Sequence, residues 1–319
     1  MDILADAPLS DAPPPDPAPE AAPPHRGRVA CVANMKGGSG KSTTVAMLAD
    51  GLATAGRRVA VLDLDPQASA SIALAGDDDL GRLAAEGRTL DAFLQRRLVD
   101  RKKAEVGPLV ARGVTRTYDA DLAPLPVSLL ACTQELRAVE RQAVRALSRK
   151  GDWDHVEREV HAWLRDEVVI PLAAEFDWLL VDCAPGLGLL ASAALALADE
   201  VIVPTVPEPL GLHGLDAFLV QGWERREGGL PAPMARPRLL ATCLLANDEG
   251  HMRTLAHLRA GAGGIYEVFA AAIARAPNLS ATAFCENLPI GYETKYTQAQ
   301  RAALEALAGE IEEGALARA

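Results

Sequence analysis

Short apolar runs alternate with amphipathic segments along the chain from residue 28 onward. Residues 28–34 form an apolar run that ends in a glycine-rich loop, residues 43–55 have apolar positions at helical spacing, and residues 58–65 form a second apolar run. Continuous apolar runs of this length are typical of strands that are buried on both faces. The order strand, loop, helix, strand predicts a βαβ unit with parallel strands.

The same alternation continues towards the end of the chain. Further strands are predicted at residues 177–183, 200–206, 238–246 and 266–273, and helices at residues 134–150, 153–172 and 297–317. Residues 80–175 follow the pattern least regularly, and no strand is predicted among them. Buried strands that alternate with helices predict an α/β fold, with a mostly parallel twisted sheet and helices on both faces.

Composition limits the core and the partners. The chain has 319 residues, of which 49% are hydrophobic but only 4% aromatic, so Ala, Leu and Val must supply most of the core. The formal net charge of -11 argues against a surface that nucleic acid coats broadly. A local basic patch stays compatible with that charge.

The five cysteines are far apart and form no C-x-x-C pair, which argues against a zinc or iron–sulfur site. Cysteines inside apolar runs favour buried reduced thiols and a reducing compartment. No apolar run approaches the ~20 residues that a membrane span needs, and the first residues lack the pattern of a secretory signal. We therefore expect a cytoplasmic protein.

The glycine-rich loop after the first strand reads NMKGGSGKSTT over residues 34–44. Gly37, Gly38 and Gly40, with Ser39 between them, allow a tight turn whose backbone N–H groups point at phosphate oxygens. The loop also begins a predicted helix, and the dipole of a helix N-terminus favours negative charge. The loop therefore predicts a phosphate-binding site and a P-loop NTPase fold.

Three side chains that follow the glycines complete this prediction. In the pattern G-x-x-x-x-G-K-[ST], the lysine, here Lys41, reaches the β- and γ-phosphates, and the hydroxyl of Ser42 binds Mg²⁺. Thr43 is expected at the α-phosphate. The loop departs from that pattern at its start, where Met35 replaces the usual glycine and a second lysine, Lys36, follows.

Acidic residues end two of the predicted strands. Asp63 and Asp65 end the second strand, where buried carboxylates need a metal, water or other partner, although an ordinary polar strand end would explain them equally well. Asp182 ends the strand at 177–183, and an apolar strand that ends in aspartate is the Walker B form, which holds Mg²⁺. Pro185 and Gly186 follow in a turn that could sense the γ-phosphate.

Four segments together resemble the ParA/MinD family of deviant Walker-A ATPases, and its ParA branch most. They read KGGSGKSTT, VLDLDPQ, WLLVDCAPGLG and EVIVPTVPEPLGLHGL. The resemblance covers about residues 28–310 and is loosest over residues 80–175. The family's switch usually reads D-C-P-P, whereas this chain has D-C-A-P and keeps Pro185.

The resemblance also implies a domain organisation. Residues 27–319 are expected to form a single ParA-like P-loop ATPase domain, with a helical insert at about residues 134–175. Residues 1–26 are rich in Pro, Ala and Asp and bury too little apolar surface to offset the entropy of ordering, so they are predicted to be a disordered tail. A solubilising leader and a partner-binding tail are both compatible with this composition.

The resemblance assigns roles to residues of the site. Lys36 is expected to reach across a dimer interface to the phosphates bound by the other subunit, like an arginine finger. Asp65 is expected to orient the attacking water, and Asp63 to support that water and the metal shell. Ser42 and Asp182 are expected to hold Mg²⁺.

One further residue, Asn247, could contact the nucleotide base, although an ordinary polar loop residue is an equal explanation. The resemblance implies ATP and Mg²⁺ as cofactors, a homodimer in the presence of ATP, and slow hydrolysis to ADP and phosphate that a ParB-like protein or cargo adaptor stimulates. The expected role is to position DNA, as a plasmid or chromosome, or a large protein cargo on the nucleoid.

Two sets of arginines could contact DNA non-specifically. Rough alignment with the family indicates Arg253 and Arg275. Independently, arginines recur every fourth position at Arg137, Arg141, Arg145 and Arg149, although a solvated helix face paired with the nearby glutamates would also explain them. The alternative function is a MinD-like membrane-surface ATPase, which the C-terminal sequence EALAGEIEEGALARA disfavours because its glutamates would be repelled by an anionic membrane.

Overall fold

The computed structural model describes residues 27–224, 230–231, 233, 235–276 and 290–316. The predicted tail at residues 1–26 lies outside the described residues. In the described part of the chain, no helix is long and apolar enough to cross a bilayer.

The central feature is a seven-stranded sheet in which every neighbouring pair of strands is parallel. Its strand order is β4-β2-β5-β1-β6-β7-β8, and β3 and β9 form a separate parallel pair. The strands are β1 (Arg28–Val32), β2 (Val59–Asp63), β3 (Thr117–Tyr118), β4 (Val127–Leu130), β5 (Trp178–Asp182), β6 (Glu200–Thr205), β7 (Pro237–Leu244), β8 (Glu267–Ala274) and β9 (Ile290–Gly291).

Helices connect the strands of this sheet. They are α1 (Lys41–Thr54), α2 (Ser69–Ala85), α3 (Leu90–Leu94), α4 (Leu136–Leu147), α5 (Trp153–Trp163), α6 (Ile170–Glu175), α7 (Leu189–Leu195), α8 (Pro209–Leu219), α9 (Glu249–Ala260), α10 (Tyr292–Lys295) and α11 (Gln298–Leu316). Wider π-helical turns at Gln95–Val99, Leu164–Val169 and Val220–Glu224 continue α3, α5 and α8.

The core consists of two apolar layers, one on each face of the sheet. Alternate residues of β1 show the division: Val29 and Cys31 belong to the layer that contains residues of α4, α5 and α7, whereas Ala30 and Val32 belong to the layer that contains residues of α1 and α11. Side chains along a strand alternate between faces, so a strand covered on both sides must be apolar throughout. The predicted α/β fold with a parallel sheet and helices on both faces is confirmed.

The region at residues 80–175 differs from its prediction. It contributes β4 to the sheet, although no strand was predicted there, because the four residues of β4 are too few to show a period and follow a proline-rich segment. The helix predicted at residues 153–172 runs on to Glu175, but with a π-helical turn before Pro171. Proline cannot donate the next helical hydrogen bond, and a widened turn accommodates that loss.

Both edges of the sheet carry a hydrogen-bonded cover. At one edge, Ala111 exchanges two backbone hydrogen bonds of 2.8 Å with Leu129 of β4, in antiparallel orientation. At the other edge, the carboxylate of Glu310 on α11 accepts the backbone N–H groups of Ala270 (2.9 Å) and Ala271 (2.7 Å) of β8. These contacts satisfy backbone groups that an edge strand would otherwise leave open.

A buried carboxylate joins α1 to the C-terminal part of the chain. Asp50 is fully buried, and its Oδ2 accepts hydrogen bonds from Lys295 Nζ (2.7 Å), Thr117 Oγ1 (2.8 Å) and the Tyr296 hydroxyl (2.8 Å). Burial, and next the charge of Asp50, raise the pKa of Tyr296 well above its usual range. The helix that follows the glycine-rich loop is thereby fixed to β3 and to the segment after β9.

Candidate functional site

The glycine-rich loop joins β1 to α1 at the carboxyl edge of the sheet. Gly38 (φ 72°) and Gly40 (φ 88°) have left-handed backbone conformations that favour glycine. A Cβ added at Gly37 or Gly38 would meet no atom within 4 Å, so the outer side of the loop is open to a ligand.

Hydrogen bonds from neighbouring strands hold this loop in place. The side chain of Asn34 donates to the carbonyl of Pro204 (2.7 Å) on β6 and accepts the N–H of Lys36 (3.1 Å). The hydroxyl of Thr242 on β7 donates to the carbonyl of Ser39 (2.8 Å). Thr242 was not predicted as a site residue, because nothing in the apolar sequence around it shows that β7 passes beneath the loop.

Lys41 is the buried cation of the site, with 6% of its surface exposed. Its ammonium donates to the carbonyl of Lys36 at 3.1 Å, so its side chain folds back along the loop. Burial lowers its pKa, and the charges of Asp182 and Asp65 oppose that shift. A desolvated ammonium beside open backbone N–H groups is suited to bind an anion such as phosphate.

Two buried polar side chains at the site lack a protein partner. Asp182 and Ser39 are both buried. Within the described residues, the two carboxylate oxygens of Asp182 and the hydroxyl of Ser39 have no hydrogen-bond partner. Burial, and next the charge of Asp63, raise the pKa of Asp182 well above its usual range. The Ser42 hydroxyl is close enough to lower that pKa somewhat, but it does not reach hydrogen-bonding geometry with Asp182.

An unpartnered buried carboxylate is costly and fits a site for a cation. The described residues contain no cluster of three or more His, Cys, Asp or Glu side chains that would hold a metal ion alone. Mg²⁺ commonly uses one or two protein oxygens together with phosphates and water. Asp182 and Ser42 fit that donor set.

The two aspartates at the end of β2 have different surroundings. Asp63 Oδ1 accepts the N–H of Asp65 (3.0 Å), and its Oδ2 accepts the N–H (2.9 Å) and the hydroxyl (2.7 Å) of Ser71. Burial raises the pKa of Asp63 to about 6. Both oxygens of Asp63 are therefore engaged in holding the turn, which favours a supporting role beside Asp65 over direct contact with a metal.

The turn at Asp65 is held from its other side as well. The Cys132 thiol donates to the carbonyl of Asp65 (3.0 Å), and Asp65 Oδ1 accepts the N–H of Gln67 (2.9 Å). Cys132 and Ser71 were not predicted as site residues. Each is a small polar residue in an apolar surrounding, and its contact with the turn depends on how distant segments pack.

Ala68, which ends this turn and begins α2, is in the left-handed region at φ 55°, ψ 28°. That conformation costs a residue with a Cβ roughly 1–2 kcal/mol, which glycine avoids. Ala68→Gly is therefore expected to leave the free energy of unfolding unchanged or to raise it by up to about 1 kcal/mol, since glycine also loses more entropy on folding. Urea denaturation measures this change, with Ala306→Gly, an exposed mid-helix site in α11, as the matched control that loses about 1 kcal/mol. An equal loss at both sites would contradict the assigned strain.

The turn after β5 contacts the glycine-rich loop directly. Gly186 has φ 95°, and its N–H donates to the carbonyl of Asn34 at 3.3 Å. A Cβ at Gly186 would lie 3.6 Å from the sulfur of Met35. Met35, which replaces the usual glycine of the loop, therefore packs against this turn. A ligand that moves the glycine-rich loop would also displace the turn at Gly186.

Lys36 has an environment unlike that of Lys41. Its side chain is partly exposed, and its Cβ lies 3.6 Å from the position that a Cβ would take at Gly214 of α8. Within the described chain no hydrogen bond or ion pair involves its ammonium group. Among the described residues, the site thus has one buried lysine within the loop and one partly exposed lysine beside α8.

Three other predicted contacts lie at the β7–β8 end of the sheet and are exposed. Asn247 is in the turn after β7, and Arg275 follows β8, where its N–H donates to the carbonyl of Leu244 (2.9 Å). Arg253 on α9 forms an exposed ion pair with Glu249 (3.3 Å). Nothing in these contacts joins the three residues to the glycine-rich loop.

The parallel sheet, the glycine-rich loop between β1 and α1, and Asp182 at the end of β5 define a P-loop protein. The sequence profile of the AAA domain matches residues 27–222, more than half of the chain. The chain therefore belongs to this AAA domain family, and within it to the ParA/MinD group. The resemblance found in the sequence is confirmed.

Curated relatives from bacteria support this placement. The chromosome partitioning protein ParA of Myxococcus xanthus is 32% identical over 190 residues, which are 59% of this chain and 56% of that protein. The sporulation initiation inhibitor protein Soj of Bacillus subtilis is 29% identical over 193 residues, 60% of this chain and 64% of that protein. The chain spans about half the length of the curated relatives it matches.

Solved structures share the fold. Cobyrinic acid a,c-diamide synthase of Mycobacterium smegmatis with ADP and magnesium matches with a TM-score of 0.61 and 24% identity, over 90% of this chain and 96% of that one. A putative plasmid partition protein of Borrelia burgdorferi bound to AMPPNP has a TM-score of 0.59 and 18% identity, over 90% and 100%. The cell division ATPase MinD of Pyrococcus furiosus has a TM-score of 0.57 and 22% identity, over 90% and 99%.

Proposed function

We propose that this chain is an ATPase switch that dimerises when it binds ATP and Mg²⁺, and that positions DNA or a large protein cargo. The observation that carries the proposal is the pair of lysines at one open loop. Lys41 is buried where it can bind phosphate within its own subunit, whereas Lys36 is partly exposed and its ammonium group has no hydrogen bond or ion pair among the described residues. A cation so placed can act on a nucleotide bound by a second copy.

The residues of one subunit would bind the nucleotide as follows. The backbone N–H groups of residues 37–41 and the ammonium of Lys41 would hold the β- and γ-phosphates, with Thr43 near the α-phosphate. Ser42 and the unpartnered carboxylate of Asp182 would hold Mg²⁺. When bound, that ion neutralises charge on the phosphate oxygens.

Hydrolysis needs a water molecule in line with the γ-phosphate. Asp65 is fixed by Cys132 and by the Asp63–Ser71 contact, so its carboxylate can orient that water. Water attacks the γ-phosphorus, the bond to the bridging oxygen breaks, and the products are ADP and phosphate. Lys36 of the other subunit would stabilise the charge that develops on the transferred group.

Names of relatives and neighbours support this proposal. ParA of Myxococcus xanthus is described as a chromosome partitioning protein, and the Mycobacterium smegmatis and Borrelia burgdorferi structures hold ADP with magnesium and AMPPNP. By analogy, a ParB-like or adaptor protein would stimulate hydrolysis. DNA would be bound without sequence preference, with exposed Arg253 and Arg275 among the candidates.

Light scattering of the full chain with ADP, and with ATP plus Mg²⁺, tests the switch. The wild type is expected to be monomeric with ADP and dimeric with ATP. Asp65→Ala is expected to form the same dimer but to hydrolyse ATP about a hundredfold or more slowly, because the attacking water is no longer oriented. Asp77→Ala, a change at an exposed aspartate of α2, serves as the matched control. A mass that does not depend on the nucleotide would overturn the proposed function.

A further inference from the structure

Four arginines form a continuous basic surface along α4. Arg137, Arg141 and Arg145 lie on α4 and Arg149 in the turn that follows, and all four side chains are exposed. We call this set the arginine stripe. Residues four apart lie on one side of a helix, and each step advances about 6 Å along its axis at 1.5 Å per residue.

The acids near the stripe do not neutralise it through ion pairs. Within the described residues, none of the four guanidinium groups lies at ion-pairing distance from a carboxylate, although the charges of Arg137 and Arg141 partly oppose the rise that burial causes in the pKa of Glu140. Arginines elsewhere in the structure, such as Arg57 and Arg97, do form ion pairs with carboxylates. In a chain with a net charge of -11, a row of exposed arginines without ion pairs is a local exception.

The opposite face of α4 fixes the stripe in position. Leu136, Val139, Ala143 and Leu147 are buried in the core layer shared with α5 and α7. The helix therefore presents its charged face on a rigid support, and little conformational entropy of the backbone is lost when a ligand binds.

The stripe is also connected to the nucleotide site. Glu140, on the same helix, is partly buried, and its carboxylate approaches the backbone N–H of Leu190 in the first turn of α7. The turn with Gly186, which contacts the glycine-rich loop, immediately precedes α7. A ligand on α4 would therefore lie one helix away from the turn that is expected to sense the γ-phosphate.

The chemistry of the stripe favours a phosphate backbone over an acidic protein. Guanidinium groups match phosphate oxygens in a fork geometry, and a row of them can follow successive phosphates. Protein partners usually need large apolar anchors as well. The large hydrophobic side chains that are exposed in the described chain are Leu122, Trp153, Ile170, Met252 and Ile265, and none of them lies on α4.

We propose that the arginine stripe binds the phosphate backbone of DNA without reading its bases. The inference rests on the proposed function for its ligand class, but it names a surface that is separate from Arg253 and Arg275. In the dimer, two such stripes would be available to one DNA molecule, and nucleotide state would control how many of them act together.

Binding of the full chain to a DNA duplex of arbitrary sequence, with ATP and Mg²⁺, tests this surface by fluorescence anisotropy across a salt series. Arg141→Gln/Arg145→Gln is expected to weaken binding about tenfold or more and to reduce the slope of log affinity against log salt by about 1.8, for two lost phosphate contacts. Arg253→Gln/Arg275→Gln removes the same charge at the other end of the sheet. We expect its affinity for DNA and its salt slope to fall less than those of Arg141→Gln/Arg145→Gln. Arg141→Lys/Arg145→Lys keeps the charge and is expected to keep the slope.

The outcomes separate this inference from the proposed function. Light scattering with ATP shows whether Arg141→Gln/Arg145→Gln still dimerises and is therefore folded. If that variant is not folded, DNA binding is compared instead between the wild type, Arg141→Lys/Arg145→Lys and Arg137→Gln. If the wild type binds DNA and the glutamine variant binds it equally well, the stripe is overturned while DNA binding stands. If the wild type binds polyglutamate or anionic phospholipid vesicles but not DNA, both the stripe inference and the DNA part of the proposed function fail.

Discussion

Lys36→Ala is expected to reduce ATP hydrolysis by the full chain on the order of a thousandfold, the scale on which a cation donated in trans acts in phosphoryl transfer. The proposed function places the Lys36 ammonium at the phosphates of the other subunit. Two nucleotides that face each other concentrate negative charge, so the ATP-dependent dimer should weaken as well. The loop itself should keep its structure, because Lys41 bonds to the backbone carbonyl of residue 36 and not to its side chain.

The measurement combines light scattering with phosphate release, for wild type and variant, with ADP and with ATP plus Mg²⁺. Lys103→Ala, at an exposed lysine in a loop, is the matched control and should behave as wild type. Binding of a fluorescent ATP analogue should persist in Lys36→Ala, since Lys41 and the backbone N–H groups remain. If Lys36→Ala dimerises and turns over like the wild type, Lys36 does not act between subunits.

Asp50→Ala is expected to lower the free energy of unfolding by about 3–5 kcal/mol, the typical cost of removing one partner from a buried ion pair. The change leaves the ammonium of Lys295, whose side chain is only 11% exposed, without its carboxylate. It also removes the acceptor for the hydroxyls of Thr117 and of the buried Tyr296. Asp50 thus joins α1 to β3 and to the segment after β9.

Urea denaturation of the nucleotide-free chain measures this loss as a lower midpoint with an unchanged slope. Tyr296→Phe removes one hydrogen bond from the same cluster and should cost about 1 kcal/mol. Asp50→Ala/Lys295→Met should recover part of the loss, because it also removes the ammonium group that pairs with Asp50. A loss at Asp50→Ala no larger than that of Tyr296→Phe would show that the cluster does not hold these segments together.

The strands that lie at the centre of the sheet were predictable from the sequence. The strands β1, β2, β5 and β6 are buried on both faces. Burial on both faces requires the continuous apolar runs that the sequence shows. The edge strand β4 and the pair β3–β9 were not predictable. Thr117 pairs with Ile290 through long-range backbone contacts that leave no local pattern in either segment.

The same division holds for the candidate site. The order of residues in the glycine-rich loop is itself the signal, since consecutive N–H groups and Lys41 act together wherever strand and helix flank them. The hydrogen bonds that hold the glycine-rich loop and the turn at Asp65 depend instead on the order of the strands in the sheet. Thr242 is 203 positions from Ser39, and Cys132 is 67 positions from Asp65, so neither contact could be predicted without the sheet order.

The covered sheet edges affect whether copies of this protein pair edge to edge at high local concentration. A long parallel sheet with a free edge is a template for cross-β growth between copies, and crowding on a surface makes that growth faster. Here the pairing of Ala111 with Leu129 occupies backbone groups of one edge strand, and the Glu310 carboxylate occupies the N–H groups of Ala270 and Ala271 in the other. Copies held at high local concentration, as the proposed function requires, are therefore less prone to pair edge to edge through these backbone groups.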